Sequence, residues 1–228
     1  MRRKQYSTLA ALFRYPAEGY KENVESCMKM LKSAYPAAAM NFERFYKFIE
    51  TKSLHEIEEI FGITFHIQAI CFLDLGYVLF GEDYKRGEFL VNMKREQEKA
   101  NNECGEELYD NLPNVLQLMA IHPDQEFVNE MGTKVMLPAL QKMLEEFKAG
   151  RMELRTKVMR KKQKAIILEG IAEGNIYQNA LLALLNVLEK DFDTIEYTLQ
   201  KIQPSLGNFL PNCGTCSEDH QPLKTIQP

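Results

Sequence analysis

The sequence predicts an all-α protein, and three observations carry that prediction. Apolar residues recur at spacings of three and four through almost every long segment. Alternating period-two runs bounded by Asn-Gly or Asp-Gly turns are absent, so nothing asks for a sheet. Prolines and glycines fall between the periodic stretches, where helix ends need them.

Taken in chain order, Val24, Cys27, Met28 and Leu31 stand at i, i+3, i+4 and i+7, and Phe42, Phe45, Tyr46 and Ile49 repeat the pattern. Leu112, Val115, Leu116 and Met119 form a third stripe, followed by Leu137, Leu140, Leu144 and Phe147, then Tyr177, Leu181, Leu184 and Leu188. Each stripe must be buried against other helices. Pro16, Pro36, Pro113, Pro123 and Pro138 fall at or near expected helix starts, where a missing N–H leaves no bond unmade. Ser53 followed by Glu56 has the form of a capping box. Gly81, Gly105, Gly150 and Gly174 sit where helices should stop. The segment 61–80 is apolar on nearly all sides and reads as the central helix of a bundle, which makes Asp74 conspicuous: a carboxylate there needs a partner or a wet groove. From Pro204 onward periodicity stops while Pro, Gly, Asn and Ser accumulate. The expectation is about ten helices in one domain over 1–203, with 204–228 a flexible tail.

The chain has 228 residues, 45% hydrophobic and 26% charged, enough for a sizeable core and too apolar for wholesale disorder. Its formal net charge of −4 argues against a dedicated nucleic-acid binder. No apolar run reaches the length of a membrane span, and the basic start Arg2-Arg3-Lys4 is not followed by the apolar run and cleavage site of a signal peptide. The expected compartment is therefore the cytoplasm.

No catalytic motif emerges: there is no G-x-S-x-G, no phosphate-binding glycine loop and no H-E-x-x-H. The five cysteines are scattered and odd in number, which is not a disulfide framework, and Cys27 and Cys71 lie in apolar-periodic segments as buried hydrophobes would. Cys213 and Cys216 with His220 have partial zinc-ligand spacing. They are three ligands of four, open to three readings: an unligated tail, a zinc or cluster-handling site, or a redox dithiol beside the unfavourable charges of Glu218 and Asp219. Arg151, Arg155, Lys157, Arg160, Lys161, Lys162 and Lys164 make a basic run opposed only by Glu153, either a solvated face or a patch for an anionic partner. The 11 methionines, 13 phenylalanines and 10 tyrosines suit an adaptable apolar groove for an amphipathic helix, although most must be core.

Four blocks in order carry a resemblance. Leu12-Phe13-Arg14-Tyr15-Pro16, then Phe61 to His66 (Phe-Gly-Ile-Thr-Phe-His), then Phe80 to Gly87 (Phe-Gly-Glu-Asp-Tyr-Lys-Arg-Gly), then Glu107 to Met119 (Glu-Leu-Tyr-Asp-Asn-Leu-Pro-Asn-Val-Leu-Gln-Leu-Met) resemble the conserved stretches of the NarJ-type chaperones for respiratory nitrate reductase, relatives of the TorD/DmsD chaperones. His66 stands where that family has Asp, and Asn111 where it has His. The resemblance implies an all-helical fold without catalytic turnover or a permanently bound cofactor. It implies binding of the N-terminal segment of a nitrate-reductase-like molybdoenzyme catalytic subunit, held while the molybdopterin guanine dinucleotide cofactor, and an iron–sulfur cluster, are inserted. On it, the candidate client-binding residues are Tyr15, Phe65, His66, Asp74, Tyr77, Phe80, Glu82, Arg86, Asp110, Asn111, Leu112 and Pro113. Tyr77 and Phe80 would supply apolar wall, Arg86 a forked donor, and Asp110 either a cap for the next helix or a seat for a basic residue. The nearest rival is a permanent structural subunit of the same enzyme.

Overall fold

The structure is a computed structural model and describes residues 3–66, 69–148 and 175–192. Its helices run α1 (Lys4–Ala10), a 3-10 turn (Ala11–Phe13), α2 (Tyr20–Ala34), α3 (Pro36–Thr51), α4 (Leu54–Phe65), α5 (Leu75–Phe80), α6 (Lys85–Lys99), α7 (Leu112–Ile121), α8 (Gln125–Glu130), a π-helical turn (Met131–Met136), α9 (Leu137–Glu145) and α10 (Tyr177–Asp191). Counting the unbroken run from α8 through α9 as one rod leaves nine helices among the described residues, and no strand. The protein is an all-α bundle.

The predicted stripes supply most of the core, with Tyr46 and Leu144 half-buried against it. Cys27, Leu31, Phe42, Phe45, Leu112, Val115, Leu116, Met119, Leu140, Leu181, Leu184 and Leu188 are wholly buried, each large side chain contributing about 1.5–3 kcal/mol by leaving water. They join one cluster in which α10 packs on α3 and α9, α2 on α3, α1 on α7, and α5 on α6 and α9. Polar seams fix the register. Tyr177 Oη lies 3.1 Å from Tyr20 Oη, which donates to the Leu12 carbonyl at 2.8 Å. Asp191, at the end of α10, accepts from Tyr35 Oη at 2.7 Å, Tyr6 Oη at 2.9 Å and Gln5 Nε2 at 3.1 Å.

The punctuation largely stands where the sequence puts it. Ser53 and Glu56 form the reciprocal capping box of α4. Pro36, Pro113 and Pro138 occupy first helical turns, Pro123 precedes the Asp124 N-cap of α8, and Pro16 lies in the link before α2. Gly81 ends α5 with φ +62°, a conformation that side chains disfavour. Ahead of Pro138, which cannot donate to a carbonyl four back, the helix widens: the Leu137 N–H reaches the Gly132 carbonyl five residues behind it.

One element differs from its prediction. Residues 61–80 are not a single helix: α4 ends at Phe65 and α5 begins at Leu75. Between them the Cys71 N–H bonds the Thr64 carbonyl, and the chain then extends alongside the start of α7. There Leu112 N–H donates to Leu73 O at 2.9 Å and Leu75 N–H to Asp110 O at 3.1 Å, an isolated antiparallel bridge at Asp74 and Asn111. The segment is apolar throughout because Ile70, Cys71, Leu73 and Leu75 are buried in the connection as well. Among the described residues no helix is long and apolar enough to cross a membrane. Residues 149–174, with the basic run and Gly150 and Gly174, and residues 193–228, with Cys213, Cys216 and His220, lie outside the described residues.

Candidate functional site

The bridge between residues 74 and 111 brings three parts of the chain to one place. α5 starts there, α7 starts there, and α6 packs alongside. Asp74 occupies the N-cap position of α5 and Asn111 that of α7, yet neither side chain caps its own helix. They bond each other instead, Asn111 Nδ2 donating to Asp74 Oδ1 at 3.1 Å. The cap of α5 comes from Asp110, whose Oδ2 accepts the Gly76 N–H at 2.8 Å. Asp110 thus caps the helix across the bridge and not the helix that follows it. The reason is local: Gly76 N–H is an orphan donor of the first turn of α5, and a carboxylate near a helix N-terminus is favoured electrostatically.

Gly76 is indispensable to this arrangement. A Cβ there would stand 2.8 Å from Asp110 Oδ2 and 3.0 Å from the Phe89 ring. Asp110 is fully buried, and burial pushes its carboxyl up to about 6, with the Gly76 N–H opposing and Asp74 adding to the rise. Its Oδ1 is buried without a hydrogen-bond partner, and so is Nε of Arg86. Arg86, on the first turn of α6, holds Nη2 3.9 Å from Asp74 Oδ2 and lays its guanidinium 5.2 Å from the centre of the Tyr77 ring. Phe72, 42% exposed, meets Tyr77 edge to face at 4.5 Å, and half-buried Phe80 meets Phe89 at 5.7 Å.

The loop that carries Asp110 is stapled by amides. Asn114 Nδ2 donates to the carbonyls of Cys104 and Leu108, Gln97 Nε2 to that of Tyr109, and Asn102 Nδ2 to Gln97 Oε1.

Of the residues singled out from sequence, Asp74, Tyr77, Arg86, Asp110 and Asn111 therefore form one cluster. Tyr15 and His66 form another: they stack at 5.9 Å on the rim, both against Phe61, and Phe65 lies beneath in the core against Tyr177 at 5.0 Å. Leu112 and Pro113 are buried at the start of α7, and Glu82 is exposed between α5 and α6. Sequence reasoning passed over Gly76, although a glycine inside an apolar run is itself a sign of close backbone approach. It also passed over Phe72, Tyr84 and Leu108, apolar side chains that stay exposed near the cluster's segments. No sequence signal separates these from core.

The groups assembled are a guanidinium, two carboxylates, an amide and aromatic faces, which together can recognise a peptide by charge and apolar contact. Comparisons with protein-family models and with curated proteins find no match to this chain.

Proposed function

We propose that the protein is an assembly chaperone of the NarJ type. In this reading it binds the N-terminal segment of the catalytic subunit of a nitrate-reductase-like molybdoenzyme. It keeps that subunit open while the molybdenum cofactor and an iron–sulfur cluster are inserted. The cofactor is the client's cargo, and the chaperone itself turns nothing over.

One observation supports the reading above the rest. Two of the sequence blocks that resemble the family, Phe80–Gly87 and Glu107–Met119, lie far apart in the chain yet supply Arg86 on one side and Asp110 and Asn111 on the other of a single cluster. A stretch kept only for packing has no need of a guanidinium paired with a carboxylate at a partly exposed site. Exposed Phe72 beside Tyr77 adds apolar surface of the kind an amphipathic helix covers, while the polar groups would fix its register.

The test is titration of the full chain with a labelled peptide copying the N-terminus of a candidate client subunit. Arg86→Ala and Asp110→Ala should each weaken binding by about 1–3 kcal/mol. Unchanged affinity in both folded variants would remove this cluster from the binding site.

A further inference from the structure

We propose that the Asp74–Arg86–Asp110 cluster takes one cationic side chain, a lysine ammonium or an arginine guanidinium, from the segment it binds. That the cation arrives on a client segment rests on the chaperone reading. The demand for it rests on the cluster's own charges and geometry.

Among the described residues one guanidinium stands near two carboxylates and pairs with only one of them. Among the described residues Arg86 is the cation within ion-pair distance of either, and it reaches Asp74 only at 3.9 Å. Lys142, on α9 packed against α5, has its ammonium on the Leu79 carbonyl at 2.9 Å. The cluster thus carries a carboxylate with no cation of its own.

The two unpartnered atoms show where that imbalance sits. Arg86 Nε is a charged donor, Asp110 Oδ1 a charged acceptor, and both are buried. Their side chains flank one point: a Cβ on Gly76 would lie 2.8 Å from Asp110 Oδ2 and 3.4 Å from Arg86 Cγ. Leaving a charged donor and a charged acceptor unpaired in the same buried place is unfavourable for each.

An arriving cation resolves all of this in one exchange. It takes Asp74 Oδ2, whose side chain is 25% exposed, in place of Arg86. Arg86 turns inward and its Nε–H donates to Asp110 Oδ1. Each carboxylate then has its own cation, and both orphan atoms have partners. Asp74 is ready for the exchange because Asn111 Nδ2 fixes its other oxygen at 3.1 Å. The Phe72 and Tyr77 rings beside it suit the alkyl stem of the incoming residue.

The experiment is NMR on the full ¹⁵N-labelled chain at neutral pH, titrated with n-butylammonium and separately with methylguanidinium, with n-butanol as the neutral control. Both cations should shift the Gly76 amide and the Arg86 Nε–H saturably, and slow exchange of the latter as it gains its bond. The tighter of the two identifies the side chain preferred. Asp74→Asn should weaken binding about tenfold or more. Asp110→Asn, which leaves Arg86 no second carboxylate to turn to, should weaken the cation less than Asp74→Asn does while the slowed exchange at Arg86 disappears, so a folding defect in one variant does not decide the matter. Shifts that fail to saturate, that n-butanol reproduces, or that are unchanged in Asp74→Asn would overturn the proposal. A client peptide that binds equally well with its Lys and Arg replaced by Gln would also overturn it while leaving the chaperone reading standing. No client binding, with the small cations still bound, would remove the chaperone reading alone.

Discussion

Replacing Asp110 with Asn isolates the energetic consequence of burying a carboxylate at the junction of α5 and α7. Burial raises its carboxyl from the ordinary 3.8 to about 6, against the pull of the Gly76 N–H. The folded chain therefore holds this proton more tightly than the unfolded chain does. The stabilisation it brings is fully present below pH 3.8 and is lost as pH rises through about 6. The gap between those two values corresponds to about 3 kcal/mol. Asparagine keeps the shape and an acceptor for the Gly76 N–H but does not titrate. Urea unfolding of both proteins across this pH range gives a difference in stability from which titrating groups not coupled to Asp110 cancel, Asp74 being the coupled carboxylate. Wild type minus variant should fall by about 3 kcal/mol between acid and neutral pH, spread over the interval from 3.8 to about 6 and half complete at about pH 5. A flat difference, or a fall confined to the ordinary carboxylate range, would refute the assignment of Asp110 as a desolvated, incompletely bonded carboxylate.

Three further outcomes follow from the same geometry. Gly76→Ala should destabilise the fold by about 1–3 kcal/mol and displace Asp110, because the new methyl falls within contact distance of its carboxylate and of Phe89; unfolding with the Asp110 side chain unmoved by crystallography would contradict this. Ser53→Ala removes the capping box of α4 and should lower stability by about 1 kcal/mol in thermal or urea unfolding, with no change in the spectrum of the folded state. Gly132→Ala places a methyl where the Phe192 ring lies against the π-helical turn, so it should expel that ring from Tyr6, with which it stacks at 6.4 Å, and cost about 1–3 kcal/mol; a neutral effect on stability would show that the ring is not anchored there.

How far the sequence could be read depended on whether its signal was local. Helical stripes such as Phe42-Phe45-Ile49 and Leu181-Leu184-Leu188 are local, and the residues they select are buried. The Ser53-Glu56 box is local too, and it forms. The segment 61–80 was legible as buried but not as broken, because an apolar run looks alike whether it is a central helix or a buried extended link. What breaks it is non-local: Leu73 and Leu75 exchange backbone bonds with Leu112 and Asp110, residues more than thirty positions on. The cluster was legible in its members and not in their roles. Asp110 precedes α7 and reads as its cap, whereas the donor that claims it is the Gly76 amide, which only the bridge brings near.

The central claim is most directly tested by affinity capture of the full chain from native, anaerobic lysate, with mass spectrometry and molybdenum analysis of what comes with it. The chaperone reading predicts a large molybdoenzyme catalytic subunit depleted in molybdenum. The same subunit recovered fully loaded and at fixed stoichiometry would make the protein a structural subunit instead, and capture of no molybdoenzyme subunit would contradict the account.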